Sequence, residues 1–179
     1  ATSCSITCIP FIEGYFITTN SERVSDSDFR PVSESRVKLG RLLFYDNILS
    51  GNSNISCGTC HHHKHHGSDG VSLGVGEGGS GIGLKRTSGK EDSRIKKRIP
   101  RNSPALFNLG AKEIRVLLYD GRLSLGDEYE NGFNSPAEEW LHEGLENLLA
   151  AQALLPMAAE FEMAGNSGEN QVVGAIYDR

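Results

Sequence analysis

The stretch Cys57-Gly58-Thr59-Cys60-His61 decides how the rest of the chain is read. Two thiols three residues apart can reach the two vinyl groups of one porphyrin. The adjacent histidine then lies beneath the ring and offers an imidazole nitrogen to iron. The spacing therefore predicts one covalently attached c-type haem on Cys57 and Cys60, with His61 as the proximal iron ligand. Zinc is the rival, because His61-His62-His63-Lys64-His65-His66 follows the two cysteines directly. Structural zinc sites usually separate their ligand pairs by about a dozen residues or more, so that the chain can fold around the ion. Here every candidate ligand falls between residues 57 and 66, with no second pair elsewhere. A thioredoxin-like dithiol would need a βαβ setting that the flanking pattern lacks. His62, His63, His65 and His66 sit too near the proximal ligand to swing over the ring, and read as exposed loop histidines.

Upstream of the motif, Leu39, Leu42 and Leu43 fall on one face at i, i+3 and i+4, which predicts a helix over Ser35–Phe44. Residues 1–34 read as an N-terminal arm with short extended pieces, and residues 35–179 as the haem domain. Downstream, six glycines between Gly74 and Gly83 are too dense for a helix, and the chain reads as loop from Gly67 to Pro104. The basic run Arg94–Arg101 is either a solvated loop or a docking patch for an acidic electron-transfer partner. Pro104–Leu109 reads as a short helix, Arg115–Tyr119 as β-like, and Asp120-Gly121-Arg122 as a turn. Ser135-Pro136-Ala137-Glu138 has the form of a capping box with Pro at the first helical position, from which a helix is expected to start, with Gly144 placed to break it. Leucines at helical spacing predict a last helix over Leu145–Leu154, stopped by Pro156.

Composition sets the outer bounds. A net charge of -5 argues against a nucleic-acid binder, which usually shows a strongly basic face. No apolar run is long enough to cross a bilayer. With 37% hydrophobic residues and 21 glycines, a modest core with much irregular loop is expected. Cys4 and Cys8 leave three alternatives: a local disulfide, free thiols, or bridges to another chain. Haem c attachment favours an extracytoplasmic, periplasmic location, with any export signal already removed.

The surroundings of the motif resemble the N-terminal domain of bacterial dihaem cytochrome c peroxidases and their MauG relatives. The resemblance runs in order through Leu39-Gly40-Arg41-Leu42-Leu43-Phe44-Tyr45-Asp46, Leu49-Ser50-Gly51, the haem motif and Ser68-Asp69-Gly70. It continues through Arg101–Asn108, Tyr119-Asp120-Gly121-Arg122, Gln152–Pro156 and Glu162-Met163. It implies a mainly α, cytochrome c-like haem domain with long Gly-rich loops. It also implies that Glu162 is the distal acid–base group, that Gln152 and Pro156 line the distal pocket, and that Asn102 contributes to a calcium site between two haem domains. Tyr119 falls where many relatives carry Trp on the electron path between haems.

Two departures from the pattern matter. Many such peroxidases carry a capping histidine in the glycine loop, and here Val75 stands at that place, which implies a haem open to peroxide. Relatives also carry a second C-x-x-C-H that is absent from this sequence. The expectation is one piece of a larger or two-chain protein, with the second haem on a partner; a self-sufficient monohaem protein is the alternative. The function expected is reduction of hydrogen peroxide, or peroxide-driven oxidation of a protein side chain, fed by a small electron-donor protein. The competing function is a monohaem electron-transfer cytochrome, which needs a sixth ligand such as Met157 or Met163. Met163, beside Glu162, reads as a packing residue.

Overall fold

The structure, a computed structural model, describes residues 24–165. Cys4, Cys8, most of the expected arm and the last residues of the chain lie outside the described residues.

Helix α1 (Glu34–Tyr45) forms where the leucine spacing predicts it, one residue longer at each end. The Asp46 N–H closes it on the Leu42 carbonyl at 3.0 Å, and the Asp46 carboxylate accepts from the Ile48 N–H at 2.9 Å to begin a tight turn. None of its residues is buried, and Val37, Leu39 and Leu42 face outward. Only Leu43 and Phe44 are half-buried, where α1 meets the four-residue helix α2 (Cys57–Cys60). That contact explains Gly58: a Cβ there would stand 2.6 Å from the Tyr45 ring.

A small antiparallel sheet follows in the order β1 (Val116–Leu117), β2 (Leu123–Leu125), β3 (Phe133–Asn134). Leu117 pairs with Leu123, and Leu125 with Phe133. The turn between β1 and β2 closes through the Gly121 N–H on Leu118 O at 3.2 Å. Against this sheet lies helix α3 (Leu148–Ala158), and Leu123, Phe133, Leu141, Leu148 and Ala151 form the core between them. Each such leucine or phenylalanine contributes about 1.5–3 kcal/mol by leaving water.

Helix α3 starts three residues later than its leucine spacing predicts, because the Asn147 side chain caps it, accepting from the Ala150 N–H at 3.0 Å. Pro156 does not stop it. The ring removes the donor that Gln152 O would have used, yet the helix continues to Ala158. It then gives way to a π turn, Glu160–Ala164, in which the Ala164 N–H reaches back to Ala159 O at 3.1 Å.

Two other helices expected from the sequence do not form. Pro104–Leu109 is irregular, because Pro104 O is engaged by a side chain and Asn108 takes a left-handed conformation at φ 57°. After Ser135, whose hydroxyl accepts from the Ala137 N–H at 3.1 Å, only the short 3-10 turn Glu138–Trp140 appears, as Glu138 is left-handed at φ 50°. The expectation of a mainly α fold therefore holds in part: among the described residues, three α-helices and a three-stranded sheet stand among long loops.

Candidate active site

The cysteine motif is shaped by its own caps. The Ser56 N–H donates to Thr59 Oγ1 at 3.0 Å, and the two hydroxyls lie 3.1 Å apart, closing one helical turn. One turn places residues i and i+3 on the same side, so Cys57 and Cys60 face together while Gly58 and Thr59 are buried behind them. Both thiols are half-buried and unbonded. Burial pushes the Cys57 thiol up and the Cys60 thiol up to about 11. His61 follows at the helix end, its N–H on Cys57 O at 2.9 Å.

The His61 ring is fixed from behind. Its Nδ1 lies 2.9 Å from Gly67 O and 3.0 Å from Pro104 O, so Nδ1 carries the proton and donates to these carbonyls. That leaves Nε2 as the lone-pair nitrogen. Ser103 Oγ donates to Cys60 O at 2.5 Å, so the same segment also anchors the second cysteine. The neighbouring imidazoles turn to one another: the His62 and His63 rings stack at 4.6 Å, and His65 lies 5.4 Å from His62. His63 and His66 are exposed as expected, while His62 and His65 are half-buried.

Glu162 sits in the π turn after α3. Burial raises its carboxyl above the ordinary carboxylate range, while the positive charge of Arg122 pulls it back. Its charge is also felt at the Cys60 thiol. Gln152 and Pro156 are half-buried one helical turn apart on α3, hence on one face of it. Met163 is buried at 5% exposure and Met157 half-buried.

Other predicted residues lie further out. Asn102 is exposed. Tyr119 is 67% exposed, and the Arg101 guanidinium carbon stands 3.4 Å over its ring centroid. Val75 is fully buried, and its carbonyl accepts from Arg86 Nε at 2.6 Å. Arg86 and Asp69 have no role in the sequence reading, yet both are buried beside the motif, near enough for their charges to act on Cys60. The signal for Arg86 was indirect. A loop with so many glycines has carbonyls but few side chains, and needs a donor from elsewhere.

These residues fit a covalently attached c-type haem. Two unbonded thiols share one side of a helical turn, and the adjacent imidazole has one nitrogen tied by carbonyls and the other free to ligate, as metal-binding histidines require.

This constellation is that of a family: the profile of the di-haem cytochrome c peroxidases matches residues 34–178, and the chain belongs to that family. Over 118 residues it is 31% identical to the cytochrome c551 peroxidase of Pseudomonas aeruginosa. That match covers 65% of this chain and 29% of the relative, so the chain spans less than a third of the relative's length. Among the described residues no helix is long and apolar enough to cross a membrane.

Proposed function

We propose that this chain provides a peroxidase-type haem site that reduces hydrogen peroxide, or uses it to oxidise a protein side chain. A second haem, on another domain or chain, relays the electrons. Cys57 and Cys60 hold one haem c through thioether bonds, and His61 ligates its iron through Nε2. The single observation that carries this reading is Glu162, half-buried in the π turn after α3, with its carboxyl raised above the ordinary range by burial and its charge felt at the Cys60 thiol.

When bound, the haem would supply the redox-active iron needed to reduce peroxide. The chain supplies the proton handling. Glu162 takes a proton from one peroxide oxygen and returns it to the other, so that the second leaves as water. Its raised pKa suits both halves of that task, since a strongly acidic carboxyl would return the proton poorly. Two electrons and two further protons in all convert one peroxide to two waters. Gln152 and Pro156 line the side from which peroxide enters. The two carbonyls on His61 Nδ1 fix the ring and make Nε2 a stronger ligand.

Asn102 contributes to a calcium site towards the second haem domain, and Tyr119 lies on the electron path between haems. The outward apolar residues of α1 suit the cover of a further domain. The exposed basic side chains of Arg94, Lys97 and Arg98 suit docking of a small electron-donor protein. The place of work is extracytoplasmic, in the periplasm.

The test is peroxide-dependent oxidation of a reduced c-type cytochrome by the haem-loaded protein. Glu162→Gln should slow it by about 10²–10⁴-fold with the haem still attached. Wild-type turnover in that variant would remove Glu162, and with it this mechanism.

A further inference from the structure

Arg86 is a charge buried to 6% exposure among backbone oxygens. Its Nε donates to Val75 O at 2.6 Å, Nη2 to Gly76 O at 2.7 Å and Nη1 to Gly81 O at 2.8 Å. Among the described residues it forms no salt bridge. A guanidinium with three carbonyls around it is a clamp, because its planar fork fixes all three directions together. Glycines supply the room: a Cβ on Gly79 would stand 2.9 Å from Arg86 Nη2.

The clamped segment continues directly onto the candidate acid–base residue. A Cβ on Gly76 would overlap the Phe161 carbonyl oxygen and stand 3.0 Å from Glu162 Cα. The next residue closes the contact, with the Glu77 N–H donating to Glu162 O at 2.9 Å. The Glu77 side chain is held in turn by the Asn52 and Asn54 amides at 2.7 and 2.8 Å. Further along, Gly74 O accepts from the Ile99 N–H at 2.9 Å. The backbone of Glu162 thus rests on a ledge, Val75–Gly76–Glu77, whose shape Arg86 sets.

We propose that Arg86 is the positioning residue of Glu162, acting through the Val75 and Gly76 carbonyls and the Glu77–Glu162 hydrogen bond. The proposal rests on the reading of Glu162 as the proton-transfer group. Removing the guanidinium leaves Val75 O and Gly81 O without their donor and Gly76 O with the Gly79 N–H alone, and lets the ledge move. A displacement on the order of 1 Å at a reacting group can cost about a hundredfold in rate.

The test uses the haem-loaded protein carrying Arg86→Gln and Arg86→Lys, with Glu162→Gln beside them. Two quantities are read: hydrogen exchange at the Glu77 amide, and kcat/KM for peroxide against KM for the electron donor. Expected for R86Q are faster Glu77 exchange and a loss of roughly tenfold or more in kcat/KM for peroxide. The haem spectrum and the donor KM should stay unchanged. R86K, which keeps the charge but not the fork, should fall between R86Q and wild type. If R86Q fails to retain haem, R86K carries the test with the same signs. Wild-type exchange and rate in the variant, or a slower rate without faster Glu77 exchange, would overturn the positioning role. A fully active Glu162→Gln would instead overturn the reading beneath it, so the two failures are distinguishable.

Discussion

The Nδ1 of His61 lies 3.0 Å from the carbonyl oxygen of Pro104, forty-three residues further along the chain. Ser103, the residue before Pro104, donates to Cys60 O at 2.5 Å. The haem motif is therefore a local turn held in place by a distant strand of loop. Its geometry is over-determined from behind, on the side away from the reacting face. Such support would hold the His61 imidazole in one orientation when its Nε2 ligates an iron.

This arrangement gives a direct expectation for Ser103→Ala. The variant should keep its haem and lose about 1 kcal/mol of stability, the usual contribution of one hydrogen bond. Chemical denaturation with and without the substitution measures it. No change in midpoint would mean that Cys60 O finds water instead.

Two close glycine contacts, at Gly58 and Gly76, should behave differently. At Gly58 the obstacle is the ring of Tyr45, which is itself exposed and free to turn away, so Gly58→Ala should cost about 1 kcal/mol. At Gly76 the obstacle is the Phe161 backbone, which cannot move without taking Glu162 with it. Gly76→Ala should therefore cost about 3 kcal/mol and depress the peroxide reaction as well. Thermal melts and stopped-flow rates on the two variants separate these outcomes.

The pH dependence follows from Glu162. Burial raises its pKa on folding, against the pull of Arg122. A carboxyl raised in this way contributes stability that is complete below its unfolded pKa and lost as pH rises through the folded one. Glu162→Gln removes that loss, so its stability should fall less than that of wild type between the ordinary carboxylate range and neutrality. The same raised pKa governs the reaction. Peroxide needs the deprotonated base, so the rate should decline as pH drops through a value above the ordinary carboxylate range. Denaturation midpoints and peroxide rates on one pH series test both halves, and superimposable stability curves for the two proteins would contradict the first.

Tyr119 offers a separate handle on electron delivery. Arg101 sits over its ring, and a cation there disfavours loss of an electron from that ring. Tyr119→Ala should slow electron arrival from the second haem while leaving the first reaction with peroxide unchanged. Single-turnover and steady-state measurements distinguish the two steps, and equal steady-state rates would take Tyr119 off the path.

The sequence was most legible where chemistry and local spacing coincide. The C-x-x-C-H turn, helix α1 and the β-like run before Asp120 are short-range patterns, and the structure carries each of them. It was least legible where a distant group decides the outcome. Pro104–Leu109 has a helical composition, but His61 uses the Pro104 carbonyl. Leucine periodicity begins at Leu145, but the Asn147 side chain sets the start of α3. Arg86 stands alone in a glycine-rich loop, and no periodicity signals that three carbonyls converge on it. Glu162 was singled out by family pattern alone; its burial in the π turn after α3 is a tertiary property that no local spacing contains.

The proposed function requires an iron centre open on one face, with Glu162 as the proton carrier there. The most direct measurement is the optical spectrum of the oxidised, haem-loaded protein before and after addition of hydrogen peroxide, for wild type and Glu162→Gln. A high-spin ferric spectrum that peroxide changes at once in wild type, and far more slowly in the variant, is the expected result. A low-spin spectrum indifferent to peroxide in both would contradict the claim and return the chain to electron transfer alone.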